Sequence, residues 1–186
     1  MRKYLYLALV MTIATPAMAV GIPLTVVNDK APILTVGYSP ATTGQASALS
    51  IVLSAINGAK RNVDVAAYSF TSKPIAAALV SAKNRGVSVR VVADEKANNN
   101  KYTAVTYLAN QGVPVRLDSQ YAIMHNKFMV VDGNTVQTGS FNYTASAVSR
   151  NAENVLLIQA APALAKNYQT EFNRLWNESA TLGSRY

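Results

Sequence analysis

Between residues 33 and 117 the sequence switches its hydrophobic period back and forth between strand and helix, and this alternation constrains the fold more than any other feature. Short runs rich in β-branched residues, at 33–38, 63–70, 87–93 and 113–117, read as strands. Helical spacing separates them. Thr42 and Gln45 have the spacing of a capping box, and Leu49, Val52, Leu53 and Ile56 beyond them share one helical face. Ser72 and Pro74 open a second helix that Gly86 stops, and a third spans 102–110 before Gly112. Strand–helix–strand units of this kind call for parallel strands with helical crossovers. Past residue 117 the pattern changes: 128–131, the turn Asp132-Gly133-Asn134 and 135–138 predict a hairpin, and 154–158 a further strand. Leu164, Tyr168, Phe172 and Leu175, with Trp176 beside them, mark a final amphipathic helix. The expected fold class is therefore α/β, a single-domain sandwich over 33–180 with a mixed β-sheet flanked by helices.

The N-terminal stretch stands apart from this pattern. Arg2 and Lys3 precede a short apolar run, then Pro16 and Ala17-Met18-Ala19, the layout of a secretory signal with an A-x-A cleavage site. The run is shorter than the ~20 residues that a permanent membrane span needs. Residues 1–19 are thus expected to be a signal peptide and 20–32 a loose leader, with the mature protein periplasmic or secreted. No segment of the mature chain reads as an amphipathic membrane-docking helix, so stable membrane association after cleavage is not expected.

Composition narrows the chemistry. The chain has no cysteine and one histidine, which excludes thiol catalysis, a zinc ribbon and any multi-histidine metal site within one chain. Seventeen Lys+Arg against nine Asp+Glu give a formal charge of +8, pointing to a polyanionic partner.

The one histidine, His125, stands two residues before Lys127, which leads into Phe128-Met129-Val130-Val131 and Asp132. Gly139-Ser140-Phe141-Asn142 and then Glu153 follow. If 125–132 is extended, His125 and Lys127 face one way while Asn126, Phe128, Val130 and Asp132 face the other. Ser140 and Asn142, also two apart, converge on one side of an extended segment. Lys, Ser and Asn side chains donate hydrogen bonds to phosphate oxygens. Gly139 leaves room for the backbone to approach a ligand. An imidazole attacks phosphorus or moves a proton near neutral pH. Together these residues form a phosphate site with a nucleophile, and none of that chemistry requires a metal.

The spacing His125-x-Lys127-x4-Asp132-x6-Gly139-Ser140-x-Asn142 resembles the HKD motif of the phospholipase D superfamily, and the chain from Ile33 to Trp176 is similar to the small bacterial Nuc-type endonucleases of that superfamily. The segments 63–70 and 86–94 resemble framework strands of the same proteins. The resemblance implies phosphodiester hydrolysis through a phosphohistidine intermediate, with no metal and no cofactor. By position it makes His125 the nucleophile, puts Lys127, Ser140 and Asn142 on the phosphate, and has Glu153 orient the histidine through its other ring nitrogen. One imidazole must attack while another protonates the departing oxygen. Larger family members carry two motifs and this chain carries one, so a two-fold homodimer with a shared site is expected.

Plainer roles compete for some of these residues. Alternation puts Asp132 on the opposite face, before a Gly-Asn turn, so its expected role is structural, as is that of Gly139. Glu153 also fits a solvated strand-edge carboxylate. Asn98-Asn99-Asn100, in a loop before the third helix, reads as a connector, with a place flanking the site as its other reading; the scattered Lys and Arg residues read mostly as solvated charges, with contact to a nucleic-acid backbone as the alternative for some. The expected function is an exported, sequence-nonspecific endonuclease acting on DNA, with RNA open. The alternatives are a phospholipase D-type lipid phosphodiesterase and a non-catalytic basic nucleic-acid-binding protein.

Overall fold

A computed structural model describes residues 31–100 and 103–183. The expected signal peptide and all but the last two residues of the expected leader lie outside the described residues, as do Lys101 and Tyr102 at the expected start of the third helix. The chain forms an eight-stranded mixed sheet in the order β1-β7-β6-β5-β2-β3-β4-β8. The strands are β1 (Ile33–Ser39), β2 (Asn62–Ala67), β3 (Ser88–Asp94), β4 (Val115–Asp118), β5 (Lys127–Val131), β6 (Thr135–Gly139), β7 (Glu153–Gln159) and β8 (Ala180–Thr181). The helices are α1 (Ala48–Gly58), α2 (Lys73–Asn84), α3 (Ala104–Asn110), α4 (Ala145–Ser149) and α5 (Pro162–Glu178). The α/β mixed sheet flanked by helices is the architecture that the alternating periods predict. Strands β2, β3 and β4 run parallel, and the hairpin β5–β6 adds antiparallel strands beside β2.

Two apolar layers sandwich the sheet. Val63, Val65, Val91, Met129 and Val155 face α1 to α4, while Ala66, Val92, Phe128, Val130 and Val136 face α5. Central β2 is buried along Val63–Ala67 because both faces are covered. Its one charge, Asp64, is 2% exposed and sits in register with Arg90 on β3, which holds it by two bonds of 2.8 and 2.7 Å. Gln169 of α5 donates to the same carboxylate at 2.7 Å, and the Arg90 guanidinium lies over the rings of Phe172 and Trp176. A buried carboxylate left alone would be costly; here it has partners from both β3 and α5, and it ties α5 across the sheet.

Several boundaries differ from the sequence reading. The first helix is capped by Ser47, whose side chain accepts from Ser50 N at 3.0 Å, rather than by Thr42 and Gln45. Those two bond to each other in a turn upstream, where Gly44 at φ +83° takes the backbone out of helical space. Strand β2 ends at Ala67, so Tyr68 to Phe70 leave the sheet. Helix α4 and strand β8 are too short to show a period, and the sequence gives no sign of either.

The β5–β6 hairpin turns through Asp132 at φ 54° and Gly133 at φ 68°, the left-handed pair that suits the twist of paired strands. Asp132 also reaches across the sheet. Its carboxylate accepts from the backbone N–H groups of Lys60, Arg61 and Asn62 at 2.9, 2.7 and 3.0 Å, tying the hairpin to the start of β2. Burial pushes its pKa up, but the bonds from Asn62, Lys60 and Arg61 outweigh this and hold it below the ordinary carboxylate value. A carboxylate whose pKa is depressed on folding stabilises the fold at neutral pH and loses that contribution as pH falls through the carboxylate range. Asp132→Ala should therefore lower stability at pH 7 by about 1–3 kcal/mol. The gap in urea midpoint should narrow below about pH 4. Equal midpoints at pH 7 would contradict this role.

Candidate active site

Strand direction assembles the site. β5 runs antiparallel to β2, β6 to β5, and β7 to β6. The end of β2, the start of β5, the end of β6 and the start of β7 therefore share one rim of the sheet. On that rim lie Tyr68 just past β2, His125 and Lys127 at the start of β5, Gly139, Ser140 and Asn142 at the end of β6, and Glu153 at the start of β7. Asp132 lies at the far end of β5, a strand's length or roughly 17 Å away.

Strand β5 begins at Lys127, so His125 stands in the irregular segment before it and not within the strand, as full alternation from 125 would require. The two side chains nevertheless meet around one ring. The His125 imidazole packs edge-on against Tyr68 at 4.7 Å, and Lys127 Nζ lies 5.2 Å from the same ring centroid. Lys127 Nζ also donates to the His125 carbonyl at 2.6 Å. The histidine is exposed, whereas Lys127 is 8% exposed. Desolvation lowers the Lys127 pKa, and the Glu153 carboxylate partly offsets this.

Glu153 accepts from Ser140 Oγ at 2.6 Å and from Asn151 Nδ2 at 3.0 Å. Its carboxylate is thus engaged by those two groups and not by the His125 ring of its own chain. Ser140 Oγ in turn accepts from Asn154 N at 3.1 Å and Asn154 Nδ2 at 3.3 Å. Asn142 is half-buried, and its Oδ1 is buried with no hydrogen-bond partner among the described residues. Gly139 makes a close approach, though to protein and not to a ligand. Its φ is +147°, and an added Cβ would stand 2.3 Å from the Asn154 carbonyl oxygen. The glycine lets β6 close on β7 and so sets where Ser140 points.

A protein-family model described as "Cardiolipin synthase, PLD-like domain" matches residues 52–176. The chain belongs to the phospholipase D superfamily. Nuc, a phospholipase D family member from Salmonella typhimurium, is 43% identical with a TM-score of 0.77, covering 82% of this chain and 99% of Nuc. NucT from Helicobacter pylori is 26% identical with a TM-score of 0.71, covering 81% of this chain and 99% of NucT. The mitochondrial cardiolipin hydrolase of Xenopus laevis is 39% identical over 132 residues, which is 71% of this chain and 62% of that protein. The chain thus spans less than two thirds of that curated relative.

In this phospholipase D superfamily chain the rim presents an exposed nucleophile-capable imidazole beside a desolvated ammonium, a hydroxyl and an amide. Such donors, fixed before a phosphate arrives, stabilise charge developing on its non-bridging oxygens. Among the described residues no three His, Cys, Asp or Glu side chains gather where a metal ion would be held. Four further residues hold the rim, none of them among the predicted site residues. Asp94, at the end of β3, accepts from Met124 N at 2.8 Å, one residue before His125. Asn98 is 2% exposed and donates to the carbonyls of Tyr68 at 2.6 Å and Asp94 at 2.8 Å. Tyr68 and Asn154 complete the set. The available signal was Asp94 itself, a carboxylate at the carboxyl end of a buried strand, where ligand sites of α/β sheets gather.

Lys127 is held at the expense of stability, because desolvation disfavours its charged form. Its pKa in the folded chain lies below the ordinary lysine value, so the penalty is full at neutral pH and fades as pH rises toward that value. Lys127→Met should unfold at a midpoint no lower than wild type at pH 7, with any advantage shrinking toward about pH 10. Cleavage of a small phosphodiester should fall by about 10³-fold. A midpoint several degrees lower, or retained cleavage, would show that the ammonium has another role.

Proposed function

We propose that the chain is an exported, metal-independent phosphodiesterase that cleaves DNA without sequence preference, through a phosphohistidine intermediate at a site shared by two subunits. The observation that carries this is the exposed His125 imidazole set among phosphate donors at the rim of a basic chain. His125 of one subunit attacks phosphorus, forming an N–P bond as the P–O bond to the leaving strand breaks. His125 of the second subunit gives its proton to the departing oxygen, then takes one from the water that hydrolyses the N–P bond. The two rings hold different protonation states and titrate as a pair. Lys127, Ser140 and Asn142 hold the non-bridging oxygens throughout. The glutamate, occupied by Ser140 and Asn151 within its own chain, is at the rim where a second subunit's ring would arrive.

An apolar face left exposed among the described residues supports the dimer. In β1, Gly37 and Ser39 turn toward α1 and α4, so Leu34, Val36 and Tyr38 turn to the α5 side, where they are 62%, 45% and 44% exposed. They pair with Ile158, Leu156 and Asn154 of β7. Among the described residues helix α5 packs mainly over β2 to β6 and leaves this side of β1 exposed and that of β7 half-buried. The patch ends at Asn154, which bonds Ser140, so a second copy seated there adjoins the site. Export rests on the sequence of residues 1–19 alone.

Positive charge favours nucleic acid. The likeness to Nuc, which covers nearly all of that protein, supports the nuclease reading, while the printed name of the Xenopus relative supports a second reading, a lipid diester. Incubation with plasmid DNA and with cardiolipin vesicles, each in EDTA, separates them. Wild type should degrade the plasmid, and His125→Ala should lose cleavage by at least about 10³-fold while still binding DNA. Cleavage that survives the substitution would move the nucleophile elsewhere. Val36→Asp should give a folded monomer by light scattering with cleavage reduced at least about 100-fold; a fully active monomer would end the shared-site mechanism.

A further inference from the structure

A second concavity lies on the same rim, outside the site described above. It is a cavity of about 420 Å³ between the first turns of α2 and α3, lined by Thr71, Lys73, Thr103 and Tyr107 around small side chains such as Ala76 and Ala77. The chain that packs Tyr68 on His125 reaches Thr71 three residues later, at most about 11 Å away. This link is rigid: Thr71 N and Ser72 N both donate to the Tyr143 carbonyl at 2.9 Å, next to Asn142. On the other wall Ala104 N donates to Phe70 O at 3.1 Å, and Asn98 Oδ1 accepts from Phe70 N at 3.0 Å.

The lining suits one nucleotide. Among the described residues Lys73, which is exposed, makes no ion pair and no acidic side chain lines the cavity. Thr71 Oγ1 accepts from Ala145 N at 3.3 Å, which leaves its own proton to donate. Tyr107 is 44% exposed on the side of α3 away from buried Val105 and Leu108, a ring offered to solvent beside a floor of methyl groups. Aromatic rings on exposed rims take base faces, and ammonium and hydroxyl groups take phosphate.

We infer that this groove is a subsite for the nucleotide strand flanking the scissile phosphate: Lys73 and Thr71 hold a neighbouring phosphate and Tyr107 stacks a base without reading its identity. The assignment rests on the nuclease reading above and adds where the strand lies. Stacking on a single ring tolerates any base, so the groove supplies affinity that grows with strand length and leaves cutting nonspecific.

The test separates binding from chemistry. In a His125→Ala background, fluorescence anisotropy measures binding of a single-stranded decanucleotide and of a dinucleotide. Tyr107→Ala should weaken decanucleotide binding about tenfold. Lys73→Ala should reduce the slope of log affinity against log salt by about 0.7. Dinucleotide binding should move little. In the active background both variants should turn over bis(p-nitrophenyl) phosphate within about twofold of wild type, because that substrate is too short to reach the groove. DNA cleavage with both variants equal to wild type in binding and salt slope overturns the groove alone. A matching loss on the small diester overturns it too, since the residues would then act at the reacting phosphate. Wild type that turns over cardiolipin vesicles and leaves DNA intact overturns the nuclease reading and the groove together.

Discussion

Because β5 runs antiparallel to β2 with Lys127 paired to Ala67, the first residue of one strand stands beside the last residue of the other. The same reversal repeats into β6 and β7. Three antiparallel pairings in succession bring residues as distant in sequence as Tyr68, His125, Ser140 and Glu153 to one rim, with no long loop needed to carry them there. A slip of one residue in the β2–β5 register would turn Lys127 to the opposite face and send Met129 and Val131 out of the core layer that receives them. The hydrophobic pattern of the hairpin therefore fixes the position of the ammonium. Asp132 at the opposite end secures the same strand from below, through its bonds to the turn that opens β2.

The rim trades stability for readiness. Lys127 is desolvated, Gly139 adopts a backbone angle that side chains rarely allow, and Asn142 keeps a buried carbonyl oxygen without a partner among the described residues. Each is unfavourable for folding by itself. All three lie within the motif, whereas the apolar layers on either side are closely packed and carry the stability. Local rules are broken at the motif, a pattern expected where charge and donors are fixed in place before a ligand arrives.

How much of this was legible in the sequence depends on what each residue contacts. The strands and the hairpin were readable because β-branched runs and the Asp-Gly-Asn turn are local signals. The motif residues were readable because their spacing is short and their chemistry shared. The cap of α1 was misplaced because Thr42 and Gln45 have capping-box spacing, and only Gly44 at positive φ shows that a turn comes first. The role of Gly139 was half visible: an approach was expected, but its object, the Asn154 carbonyl, lies on a strand whose pairing a single sequence does not state. Asn98 looked like part of a polar connector, because burial of an asparagine between two strand ends is a tertiary fact.

That asparagine bears on how the rim keeps its shape. Its amide donates to Tyr68 and Asp94 and accepts from Phe70, while Asp94 accepts from Met124. Two strand ends and the segment carrying His125 are thereby bonded to one another beneath the surface. The imidazole itself is exposed and sits outside any strand, so its position is set by its neighbours: the Tyr68 ring beside it, the Met124 amide before it and the Lys127 ammonium on its carbonyl. An exposed side chain on an irregular segment would ordinarily sample many orientations. Anchored on both sides, this one has fewer to sample, and less ordering remains to be done when a phosphate arrives. The same connections continue through Phe70 to the first turn of α3. Site and neighbouring groove are therefore walls joined by one set of backbone hydrogen bonds.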